Sequence, residues 1–308
     1  MSVLSIAEQN EKKKKRKLLF TKIFRLVGAL VVIGIIIILV ISGIYVVNAY
    51  RDSDIKVGAQ ESITVDRNRV NELDVEVGAL NFVVKKEGDS FSLSKHEYID
   101  FFVDDDKLVI KEKNRKWFER VEGSVMLIIP EDYDFDEIDI ESGGGKVEIN
   151  ELNARNMDLE LGAGALILNK VNVTGKADID GNTGKVEIKN GNFNNIDCKV
   201  DVGSLKFFGK ITGSSSFETS VGSCDVKLIG DSKVYIIDAF KGLGDFIIGN
   251  YIINEDTIFG VGKTRIKING GIGGVVVKFV DENGKIIDDL YILKQWQKKT
   301  LYKSFFML

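Results

Sequence analysis

Four aspartates, Asp139, Asp158, Asp178 and Asp197, stand at nearly equal intervals, each six residues before a glycine. If successive copies stack as strands, these carboxylates lie ~5 Å apart and repel one another. A hard cation such as calcium, which takes oxygen ligands, would relieve that repulsion. Exposed carboxylates in water repel only weakly, however, by about 1 kcal/mol at such distances. Lys146 and Lys185 stand near enough in sequence to offset part of it. No EF-hand or nonapeptide calcium repeat accompanies the column, so no metal ligand is assigned and a solvated acidic face is the plainer reading.

Other residue types invite chemistry and are weighed against simpler roles. Lys116, Trp117, Phe118 and Arg120 form a basic, aromatic cluster in a loop. It suits contact with glycans or lipid head groups, or a Trp covering an open end of the core. The phrase VGKT at 261–264 resembles part of a phosphate loop. Thr257 stands where the leading glycine belongs, and a β pattern follows where the helix should start, so it reads as a glycine turn. Cys198 and Cys224 both take inward positions on opposite sides of their turns, which suits buried small hydrophobes and leaves a disulfide open. A single histidine, His96, excludes histidine triads and multi-histidine metal sites. No catalytic residue and no cofactor is assigned.

The elements that would carry these residues are set by repetition. Gly145, Gly164, Gly184, Gly203 and Gly222 recur inside similar phrases, from IDIESGGGKVEI to SFETSVGSCDVK. A fixed period near twenty is the signature of a solenoid, in which each repeat buries its apolar face against the next. Ile140, Leu159, Ile179, Cys198 and Phe217 lie five before each glycine; Val147, Leu166, Val186, Leu205 and Cys224 lie two after it. Alternation turns these inward and the aspartates outward. Each coil is thus expected to hold two short strands joined at a glycine turn. Residues 73–84 are an earlier copy, and beyond Gly222 the period loosens to Gly244 and Gly262, with GIGGVVVKFV ending the repeats. The expected fold is all-β, a single-stranded β-helix or β-solenoid with rungs of ~19–20 residues, preceded by one transmembrane α-helix.

That helix is read at 26–47, a run without charge that is long enough to cross a ~30 Å hydrocarbon core. Residues 1–25 carry eight Lys/Arg against Glu8 and Glu11, a net +6, while the remainder has 34 basic and 44 acidic residues, a net −10. The positive-inside rule then puts the N-terminus in the cytoplasm and the bulk outside. The run exceeds a signal-peptide core, although Val47-Asn48-Ala49 resembles a cleavage site. The expected organisation is a basic cytoplasmic tail (1–25), a transmembrane helix (26–47), a linker (51–62), an extracytoplasmic solenoid (63–280) and a C-terminal cap or tail (281–308). The last segment mixes Lys294, Lys298, Lys299 and Lys303 with Trp296, Tyr302, Phe305 and Phe306. It suits either an amphipathic helix on the outer leaflet or a cap on the last rung.

The copy VNELDVEVGALNFVV, the KLVIKE strand, the passage LIIPEDYDFDEIDIESGGGKVEI and the glycine rungs together resemble the bacterial "putative adhesin" family of β-strand-repeat domains of unknown function. The resemblance covers roughly residues 63–279 and is most specific around 130–133. Members of that family commonly sit on a membrane anchor in Gram-positive envelopes, and one relative belongs to the Lia cell-envelope stress operon. The resemblance implies an extracytoplasmic solenoid and transfers no catalytic residues. The expected role is a non-enzymatic binding or scaffold module at the cell membrane, with cell-wall or envelope proteins or a second copy as partners and no nucleic acid. A candidate surface comprises Trp117, Phe118, Arg120, Asp139, Asp158, Asp178 and Asp197. The alternatives are a sensor of envelope stress signalling through its basic tail, and a surface polysaccharide-active enzyme.

Overall fold

The structure is a computed structural model. It describes residues 58–94, 96–113 and 123–287. The chain divides into two units, Met1–Tyr45 and Val46–Leu308, and every described residue belongs to the second. Among the described residues there is no α-helix, only one 3₁₀ turn at Ser232–Val234, and no helix long and apolar enough to cross a membrane. The apolar run 26–47 lies outside the described residues.

Period-two alternation produces strands throughout. β1 (Gln60–Ser62), β2 (Glu72–Val77), β3 (Asn81–Lys86), β4 (Ser92–Ser94), β5 (Ile99–Asp104), β6 (Lys107–Glu112) and β7 (Ser124–Ile129) precede Pro130. β8 (Phe135–Ser142), β9 (Lys146–Asn150), β10 (Asn153–Asn169), β11 (Asn172–Ile211) and β12 (Ser215–Ile229) carry the regular repeats. β13 (Tyr235–Phe240), β14 (Phe246–Ile248), β15 (Tyr251–Ile252), β16 (Thr257–Gly260) and β17 (Thr264–Val280) complete the set.

Successive copies pair in parallel, one repeat out of step: Leu159 with Ile179, Gly164 with Gly184, Leu166 with Val186. The in-facing side chains therefore stack on their own counterparts. Ile140, Leu159, Ile179, Cys198 and Phe217 are all buried, as are Val147, Leu166, Val186, Leu205 and Cys224. Phe193, Phe207 and Phe217 fill the same interior farther along, with ring centroids 6.1 and 5.0 Å apart.

Two expectations need correction. The expected pair of strands joined at a glycine turn holds at Gly145, between β8 and β9, but not farther on: β10 runs unbroken through Gly164, and β11 through Gly184 and Gly203. A positive φ of 134–143° at these three positions bends the strand while its ladder continues. The order of coils in space also departs from chain order at both ends. β2 and β3 lie between β6–β7 and β8–β9. At the far end β12 pairs not with the Gly244 copy but with β17, Gly222 facing Gly273, and β13–β14 pair with the outer side of β17. Gly262 is no member of the series; it packs against the Val234 backbone. Antiparallel strands finish each end: β4 and β5 on β7 and β6, β15 and β16 on β14 and β13. Such strands cover ladder edges that would otherwise invite pairing with other chains.

The glycine series thus runs in space as Gly145, Gly164, Gly184, Gly203, Gly222, Gly273, Gly244. A Cβ built on any of the last six would sit 1.7–1.9 Å from the preceding glycine's carbonyl oxygen. No side chain fits there, and the positive φ adds backbone strain for anything but glycine. Gly184→Ala is expected to cost at least about 2 kcal/mol and to lower the thermal unfolding midpoint clearly. Ser204→Ala, one residue past a column glycine, is expected to change stability by no more than about 0.5 kcal/mol. Equal midpoints for the two variants would contradict the close backbone approach.

Candidate functional site

The acidic column exists and is wider than the repeats alone indicate. Asp139, Asp158 and Asp178 are register partners on β8, β10 and β11, and Asp74 of β2 precedes them opposite Asp139. A second row runs beside it through Glu76, Glu141, Glu160 and Asp180. Alternation aims both rows away from the core, and parallel pairing sets neighbours one strand spacing, ~4.8 Å, apart. The result is a flat carboxylate array on one sheet face.

Cations border this array more than they fill it. Lys107 and Lys111 of β6 pair with Glu72 and Glu76, each at 2.7 Å. Lys176 bridges Asp178 at 2.7 Å and Asp197 at 3.5 Å, so Asp197 ends the row beside a lysine and its register partner is Ser216. Lys146 and Lys185, expected to offset the column, instead pair with Glu148 and Glu187 on the other side of the glycine bend. Among the described residues no ion pair reaches Glu137, Asp139, Glu141, Asp158, Glu160 or Asp180. Partial burial, then the charges of Asp158 and Asp74, lift the Asp139 carboxyl above its ordinary range; partial burial, then Asp178, does the same to Asp158.

Beside the second row an open groove of about 370 Å³ runs along the stack. Glu141, Glu160, Asp180, Lys199 and Asp201 line it, and the backbones of Gly143, Gly162 and Gly181 form part of its wall. Among the described residues no three metal-ligating side chains converge on one point. The carboxylates lie side by side, which suits an extended cationic partner better than a single ion.

The remaining candidates fall elsewhere. Trp117, Phe118 and Arg120 lie outside the described residues, as do residues 288–308. Cys198 and Cys224 are both free and buried; Cys198 faces Phe217 and Cys224 faces Leu205. Burial pushes the Cys198 thiol well up, and the Cys224 thiol up to about 12. His96 is half-buried between β4 and β5, its Nδ1 accepting the Tyr98 N–H at 3.4 Å. VGKT leads directly into β17, a strand of 17 residues. Sequence reading missed Asp74 and Glu76, although the phrase LDVEVG carries the same alternating acids as the later copies.

Two outcomes are expected. Carboxyls whose folded pKa is raised stabilise the fold fully below their unfolded pKa, and that stability is lost as pH rises through the raised folded value. Like charges on neighbouring strands cost roughly 0.2–1 kcal/mol per pair. The double variant Asp139→Asn, Asp158→Asn should therefore unfold about 1–4 °C higher than the parent at pH 7, the gain shrinking as the pH falls toward the ordinary carboxylate range. Melting curves across that interval check this; a gain that does not depend on pH would contradict it. For the thiols, a polar thiol reagent should modify neither cysteine in the native chain and both after denaturation. Rapid native labelling of either would show that the interior is not closed.

Comparison with known proteins follows from this architecture. The chain is similar to the solved structure of a "putative adhesin" from Bacteroides fragilis, with 13% identity, 71% of this chain and 96% of that chain covered, and a TM-score of 0.40. It is similar to a "putative cell adhesion protein" from Clostridium sporogenes, with 17% identity over 72% and 99% of the two chains and a TM-score of 0.29. It is also similar to a "putative lipid binding protein" from Parabacteroides distasonis, with 16% identity over 71% and 96% and a TM-score of 0.30. No curated protein matches it. The model of the Toastrack family, DUF4097, matches residues 51–250, well over half of the chain, and to that family the chain belongs.

Proposed function

We propose that the chain is a non-enzymatic binding or scaffold module, a β-solenoid with rungs of 19–20 residues held at the outer face of a cell membrane by the helix at 26–47. The carboxylate array carries this reading. Its charges sit on paired strands, so their spacing is fixed before any partner arrives, and little ordering is required on binding. A partner that fits is an extended cationic segment of an envelope protein or polymer, lying along the stack and meeting one carboxylate per rung. Binding of that kind is driven by charge and weakens with salt. The groove beside Glu141, Glu160 and Asp180 would orient such a segment. The +6 charge of residues 1–25 against the −10 of the remainder supports the topology, cytoplasmic N-terminus and external bulk.

The full chain in lipid nanodiscs, used as bait for solubilised envelope fractions, tests the reading. The parent should retain a partner at low salt and release it at high salt. A variant with Asp74, Asp139, Asp158 and Asp178 changed to Asn should retain several-fold less while keeping its melting point or raising it. Equal retention by the two baits would contradict the proposal, as would degradation of the external region by a protease confined to the cytoplasmic side.

A further inference from the structure

Exposed large apolar side chains are distributed unevenly along the stack. At the β6 end the examples are Phe101, Phe102 and Val103 of β5. The others all lie between residues 234 and 286, on or beside the strands stacked last. Leu243, 72% exposed, stands beside Ile272 at the glycine bend of the β13–β14 coil. Ile252 of β15 is 67% exposed and Ile258 of β16 is 58% exposed; Phe240 and Val261 flank them. Among the described residues β15 pairs with β14 and β16 with β13, on the coil stacked last. A cluster of exposed apolar side chains at one end costs solubility and invites cover by another segment or chain.

Three observations favour the chain's own segment 288–308 as the cover. The described chain ends beside this surface, because Ile286 bridges to Val280 and the Ile287 N–H donates to the Phe279 carbonyl at 2.9 Å. β17, which holds that end, is two strand spacings, ~10 Å, from β15 and β16. Twenty-one further residues reach ~70 Å when extended, and tethering gives such a segment a high effective concentration. The composition matches on both counts: Leu290, Ile292, Leu293, Trp296, Leu301 and Phe305 are apolar like the exposed side chains, and Lys294, Lys298, Lys299 and Lys303 are opposite in charge to Asp245, Glu255 and Asp256. We propose that residues 288–308 pack over β15 and β16 and cover Leu243, Ile252 and Ile258. The terminal coil is then completed by a segment that carries no repeat phrase, as end caps of stacked repeats commonly do.

Trp296 reports on this directly, since Trp117 is the other tryptophan of the chain. The full chain with Trp117→Phe is placed in nanodiscs of ordinary or brominated lipid, and its emission and acrylamide quenching are recorded. The proposal expects blue-shifted emission, slow quenching by acrylamide, no added quenching by brominated lipid, and no dependence on protein concentration. Adding Ile252→Glu and Ile258→Glu should raise the acrylamide quenching constant several-fold. Both positions are exposed, so strand content measured by circular dichroism should persist; Phe101→Glu at the opposite end should leave Trp296 unchanged. Quenching by brominated lipid that ignores the Ile252 and Ile258 changes would place the segment on the bilayer and overturn the proposal. Protection that grows with protein concentration would assign it to a second copy, and red, freely quenched emission in the parent would show no docking at all.

Discussion

The close approach of backbone at Gly164, Gly184, Gly203, Gly222, Gly273 and Gly244 is the constraint from which the rest of the architecture follows. Each glycine sits against the carbonyl of the one before it, nearer than any Cβ allows. That contact fixes the phase of the coils from β8–β9 to β13–β14 relative to one another. Once phase is fixed, parallel pairing places like on like, and the interior becomes rows of Ile, Leu, Val and Phe. The outer face inherits the same register. Its acids line up because the strands beneath them do, and no local attraction is needed to hold them there.

Stability from the interior thus sustains a face with unfavourable electrostatics. Rows of Asp and Glu one strand apart repel, and partial burial together with that repulsion makes Asp139 and Asp158 resist ionisation. The cost per neighbour is small in solvent, and the many buried aliphatic side chains per coil exceed it. A partner that neutralised the array would recover this cost on binding. In the proposed binding role, neutralising the array would raise stability while lowering partner retention.

Much of the fold was legible from spacing. Glycines at intervals of 19 and 20 with alternating apolar flanks predicted the strands, the inward set and the acidic column, because each follows from local periodicity. Spatial order was less legible. Gly244 follows Gly222 at nearly the right interval, yet Gly273 occupies the neighbouring place and Gly244 the one beyond. Period reports that a segment is a coil; it does not report which coil lies beside it. β2 and β3 posed the same difficulty, and for that reason Asp74 and Glu76 escaped the predicted column. The lysine assignment failed for a simpler cause: Lys146 and Lys185 lie past the glycine bend, where the strand has changed direction and faces Glu148 and Glu187.

The order of coils beyond Gly222 offers the most direct test, since there the glycine column and chain order place different coils side by side. Ser223 and Gly274 are register partners 51 residues apart, while Asp245 belongs to the next coil out. With Cys198 and Cys224 replaced by Ala, a chain bearing Ser223→Cys and Gly274→Cys should form a disulfide under mild oxidation. A chain bearing Ser223→Cys and Asp245→Cys should stay reduced, two strand spacings being too far to bridge. Crosslinking of the second pair and not the first would mean that coils follow chain order, and the stacked glycine column described above would be wrong.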